Sequence, residues 1–143
     1  MNETHPDSGL RYRLRRVARQ ISDQHRSIGE IFRALCSAVA DRTKPEAAEA
    51  LRRYREAVCA HFDLEEQVFF PAIHGLEMTL ASELRDLTRS HGHFRDALTN
   101  LEDDFEETPP EDFQERLCQL DEQLAIHESV EEQLLEQLNE ATR

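Results

Sequence analysis

Two seven-residue stretches of the chain carry one polar pattern: HFDLEEQ, His61 to Gln67, and HESVEEQ, His127 to Gln133. In each, a histidine and a glutamate stand four residues apart, which puts both on one face of a helix. That pairs Glu65 with His61 and Glu131 with His127. His25 and His91 precede these motifs by the same step of 36 residues. All of these histidines fill gaps in apolar stripes: His25 between Ile21 and Ile28, His91 between Leu87 and Phe94, and His61 and His127 just after Val58 and Leu124. One core histidine is ordinarily a packed, hydrogen-bonded residue. A buried carboxylate is different, since it costs on the order of several kcal/mol unless it is paired or bound to a cation. No Lys or Arg takes an inward stripe position nearby, Arg95 coming closest at one turn past His91. Imidazole nitrogens and carboxylate oxygens meeting in an apolar setting suit one or two first-row transition metals. Two carboxylates able to bridge a metal pair leave two histidines for each ion and vacant positions for a ligand.

The elements that must position these groups are helices. Leu14, Val17, Ile21, Ile28, Phe32 and Leu35 recur at three- and four-residue steps and predict a long amphipathic helix ending near residues 41–45. Thr43, Pro45 and Glu46 read as a capping box with proline in the first turn of a second helix. Its stripe is Leu51, Val58, Phe62, Val68 and Phe69, with a kink or end marked by Pro71 and Gly75. A third stripe runs from Leu80 through Leu87 and Leu98 to Phe105, and a fourth from Phe113 to Leu138, opened by a second capping box at Thr108 and Glu111. Sustained strand alternation is absent. Four similar helices with short connections predict an all-α fold, an antiparallel up-down four-helix bundle. Each histidine lies roughly 15 to 18 residues, or about 25 Å, from either end of its helix. At mid-height of such a bundle His25, His61, Glu65, His91, His127 and Glu131 converge.

Composition agrees with a helical protein: 143 residues, few Gly and Pro, no Trp. It suits one domain, with residues 1–9 as a flexible tail and 10–143 as the bundle. A net charge of −13 argues against nucleic acid or an anionic membrane surface as partner. No apolar run reaches the length of a membrane span, and MNETHPDSG lacks the apolar core of a signal peptide. Cys36, Cys59 and Cys118 are scattered and without metal-site spacing. They read as reduced packing thiols of a cytoplasmic protein. Ferritin-like di-iron bundles place Glu three residues before His, where this chain has Val58, Thr88 and Leu124.

The assembled pattern resembles the hemerythrin-like (HHE cation-binding) family, on DQHRSI around His25, HFDLEEQVFFPAI from His61, RSHGHF around His91 and HESVEEQLL from His127. The resemblance covers about residues 14 to 139. It implies a non-haem di-iron centre with two iron ions, with His25, His61, His91 and His127 as terminal ligands and Glu65 and Glu131 as bridges. Glu66 and Glu132 are the reserve carboxylates. The implied function is to bind or sense dioxygen, peroxide or nitric oxide. Other divalent transition metals are compatible with such a donor set, which discriminates poorly by affinity. One departure matters: the oxygen-carrying hemerythrins have a further histidine one turn after the third-helix ligand, and Arg95 holds that place here. His93 does not replace it, because two residues of rotation turn it away from His91. This departure counts against reversible O2 carriage. The alternatives are an enzyme acting on peroxide or NO with an electron donor, and an iron-responsive module acting on a protein partner.

Overall fold

A computed structural model describes residues 8–141. Helix α1 spans Ser8–Asp41 and α2 spans Lys44–Leu64; a π turn, Glu65–Phe69, leads into α3, Phe70–Leu76. A 3₁₀ turn, Met78–Leu80, precedes α4, Ala81–Asp104, and α5 covers Pro110–Ala141. Because α2, the π turn and α3 continue one another, the chain forms four rods, and no strand occurs among the described residues. The fold is all-α. Among these residues no helix is long and apolar enough to cross a membrane. Helix α1 is already formed at Ser8, two residues inside the expected tail; the rest of that tail, with His5, lies outside the described residues.

The helix ends show which local signals act. Thr43 is the N-cap of α2, its Oγ1 accepting from the Glu46 backbone N–H at 3.4 Å. The expected return bond is not made, since the Glu46 carboxylate turns instead to Arg42 at 3.6 Å. The second expected capping box does not form. The Thr108 hydroxyl donates backwards to the Asp104 carbonyl at 2.7 Å, closing the preceding helix, and α5 opens at Pro110. Pro71 neither ends nor sharply breaks its helix. It lacks an N–H and would press on the carbonyl four residues earlier. The π turn just before it absorbs that misfit, with the Phe70 N–H donating to the Glu65 carbonyl.

Two apolar clusters fill the bundle. One joins Ile28 and Leu35 of α1, Leu51, Tyr54 and Phe62 of α2, Phe94 and Leu98 of α4, and Phe113 and Leu117 of α5. The other joins Leu14 and Ile21, Phe69 and Phe70, Leu84 and Leu87, and Leu134. Each cluster thus combines the late half of one rod with the early half of the next, the alternation that an up-down bundle produces. The polar groups lie at the level between them. Tyr54 is fully buried against Phe32, whereas Tyr12 is exposed. Cys36 and Cys59 are half-buried free thiols, but Cys118 is exposed and so is not the packing residue expected.

Candidate metal centre

The helix positions that interrupt the apolar stripes turn their side chains into one volume. His61, Glu65, His91, His127 and Glu131 are buried, and His25 is half-buried. The histidines meet in the pairs that their spacing suggests: His25 Nε2 lies 2.9 Å from His61 Nε2, and His91 Nε2 lies 2.9 Å from His127 Nε2. The carboxylates stand between the pairs. Glu65 Oε1 is 3.2 Å from His61 Nε2 and 3.3 Å from His91 Nε2. Glu131 directs Oε1 to His127 Nε2 at 2.7 Å and Oε2 towards His25 Nε2 at 4.0 Å. Two potential ligand groups result, one of Glu65, His91, His127 and Glu131, the other of His25, His61 and Glu131.

Neighbouring groups orient the rings. His61 Nδ1–H donates to Gln24 Oε1 at 2.8 Å, which leaves the lone pair on Nε2 facing the centre. His91 is held by stacking: Phe62 lies against it at 3.9 Å between centroids and 10° between planes, and Phe70 covers it at 5.6 Å. The carboxylate of Glu66 lies 3.8 Å from His91 Nδ1 and is gripped by Arg95, whose guanidinium also lies over Phe62 at 5.5 Å. Beside His25, at 3.7 Å, stands Glu128.

Electrostatics favour the ligating form of His25, His61 and His91. Burial lowers the pKa of His25 and His91, and burial together with the neighbouring His25 takes His61 down to about 3. The carboxylates oppose each other. Burial and then Glu131 push Glu65 well above the carboxylate range, so in metal-free protein it holds a proton. Burial also pushes Glu131 up, but contacts with His127, His91 and Glu65 outweigh it and keep Glu131 ionised. Burial, then Glu131, raises Glu128 to about 7.

The donor set fits metal ions on two counts. First, both oxygens of Glu65 and both of Glu131 are buried without a hydrogen-bond partner among the described residues. Native interiors rarely leave such atoms orphaned, and a missing cation is one cause. Second, two nitrogens bound at about 2.1 Å to one ion, at right angles, lie about 3.0 Å apart. Each histidine pair already has nearly that separation, at 2.9 Å.

All of the proposed ligands are therefore brought together. The reserve carboxylates are not: Glu66 is on the Nδ1 side of His91 with Arg95, and Glu132 is exposed. His93 is exposed and turned away from the cluster, as expected, and His74, near the end of α3, is exposed too. Sequence reasoning missed Gln24, Glu128 and the two phenyl rings on His91. Gln24 could have been suspected, because a metal-bound histidine needs an acceptor for its other N–H. Nothing in the spacing marked Glu128.

The hemerythrin HHE cation binding domain matches residues 16–138. Neither the curated proteins nor the solved structures gave a match.

Proposed function

We propose that this chain, which belongs to the hemerythrin HHE cation-binding family, carries two iron ions in its bundle and uses them to bind or sense O2, peroxide or nitric oxide. The single observation behind the reading is the pair of His–His contacts, each at 2.9 Å, with Glu65 Oε1 between them and orphaned carboxylate oxygens around it. His25 and His61 would hold one ion, His91 and His127 the other, and Glu65 and Glu131 would be shared. Iron in such a setting supplies an exchangeable coordination position and an accessible redox change. The protein does the rest. Burial keeps His25, His61 and His91 neutral, Gln24 fixes the tautomer of His61, and Phe62 and Phe70 exclude water from the face of His91. Arg95 stands where a fifth histidine would be and is engaged by Glu66 and Asp63, which supports a binding or sensing role over O2 carriage. The free thiols suit the cytoplasm.

One feature favours a second reading. Glu128 sets a third carboxylate beside the half-buried His25, the place where an enzyme acting on peroxide or NO would want a proton carrier. Catalytic consumption of added peroxide, as opposed to bleaching of the centre, selects that reading.

The primary test is elemental analysis of protein purified without a metal-affinity step, with an absorption spectrum before and after exposure to air. About two irons per chain, with bands that change on oxidation, is the expected result. Protein that takes up no ferrous iron would mean that the polar groups satisfy one another, and the proposal would fall.

A further inference from the structure

Between α3 and the beginning of α4 lies an open surface cavity, a shallow hollow of about 700 Å³ that the metal reading does not use. It is within the range of small-molecule sites, roughly 300 to 1,000 Å³. Phe70, Ala81 and Leu84 form its apolar part; Arg85, Arg89 and His74 carry its cationic or polar nitrogens. Arg85 and Arg89 are four residues apart on α4, so their side chains share a face.

Arginines that hold no carboxylate are common on this surface, Arg15, Arg16, Arg19, Arg33 and Arg53 among them within the described residues; those at the cavity differ in standing together beside an apolar wall. Acidic residues number 30 and basic ones 17, and Arg52, Arg55, Arg95 and Arg116 each hold a carboxylate. At the cavity, Arg89 meets only Asp86, at 3.9 Å, and Arg85 has no hydrogen bond or ion pair among the described residues. The carboxylate that also lines the cavity, Glu66, is already neutralised by Arg95. An apolar hollow with two available guanidiniums on one side is complementary to a molecule with an apolar body and one anionic head. Guanidinium is the side chain best suited to grip an oxyanion with two parallel hydrogen bonds.

We infer that this cavity binds a small amphipathic oxyanion, with its apolar body against Phe70 and Leu84 and its carboxylate or phosphate head on Arg85 and Arg89. Phe70 forms part of the cavity wall on one side and stacks over His91 on the other, so the bound body sits one aromatic ring from the metal centre. The inference does not depend on which metal, if any, the centre holds.

Titration calorimetry on the full chain tests it with octanoate, octyl phosphate and octanol as probes. The octyl chain is common to all three; only the head differs. At least one anionic probe is expected to bind about tenfold or more tightly than octanol, and the tighter of the two names the head. Replacing both exposed arginines, R85Q with R89Q, is expected to remove about tenfold or more of that affinity. Arg53→Gln, beside a separate cavity lined by Glu30 and Ile31, is expected to leave it unchanged. Octanol binding as tightly as both anions, no binding by any probe, or a double variant with undiminished affinity would each overturn the assignment.

Discussion

His25 and His61 approach each other at 2.9 Å, as do His91 and His127, yet the pairs sit in different surroundings. The first pair reaches the edge of the core: His25 is half-buried, Gln24 holds His61, and Glu128 adds a carboxylate. The second pair is packed among phenyl rings, with His91 between Phe62 and Phe70 and His127 edge-on to Phe94 at 5.5 Å. The same step of 36 residues therefore builds one polar half and one apolar half. The repeat sets the number and level of the candidate ligands; the residues between them set what each half can do. A ligand from solvent has its shorter approach at His25, and rigidity is concentrated at His91.

If that contrast is right, truncating the packing should hurt the apolar half most. Phe62→Ala removes the ring stacked on His91 and is expected to cost about 3 to 5 kcal/mol in denaturant unfolding. Next in size is Glu65, the carboxylate proposed as shared. In chelated, metal-free protein, Glu65 keeps a proton that the unfolded chain releases, because burial and then Glu131 raise its pKa. The folded state then binds more protons than the unfolded one, so this group lowers stability progressively as pH rises above the ordinary carboxylate range. Glu65→Gln should accordingly stabilise the metal-free protein by about 1 to 4 kcal/mol near neutral pH, measured by thermal unfolding, while lowering metal content. Unchanged metal content would remove Glu65 from its bridging role.

Gln24→Ala sharpens the comparison from the other side. Loss of the acceptor on His61 Nδ1 should weaken metal binding about 10- to 100-fold in competition with a chelator, and chiefly for one ion of the two. Equal weakening of both ions would mean that the halves act as one unit. The smallest effect is expected from Arg95→Met. Arg95 is partly exposed, so losing its ion pairs with Glu66 and Asp63 should cost about 1 kcal/mol or less. A larger loss would show that Arg95 braces His91 through Glu66.

The buried His and Glu cluster was legible because its residues violate a pattern. Polar groups at stripe positions such as His25, between Ile21 and Ile28, stand out against helical periodicity. Mid-helix placement then sets their level, although α4, at 24 residues against 34 for α1 and 32 for α5, is shorter than the similar lengths expected. What was not legible depends on rotations that periodicity cannot resolve. Gln24 is beside His25 in sequence but serves His61 on the neighbouring helix, and Glu128 turns towards His25 across α1 and α5. Thr108 carried the same local signal as Thr43 but found a nearer acceptor in the carbonyl of Asp104. Pro71 was visible as a perturbation, but whether a helix ends, bends or widens at proline is decided by what it packs against.

The widening has a consequence for how the chain can move. The π turn stores one residue more than an α turn of the same length, and it begins at Glu65, whereas α5 runs through Glu131 without such a store. A slip of one residue in that turn would rotate everything beyond it by about 100°. His61 would keep its place, and Phe70 would swing off His91. Phe62 would stay, so one ring of the cover on His91 is fixed and the other is in effect mounted on a swivel whose pivot is Glu65.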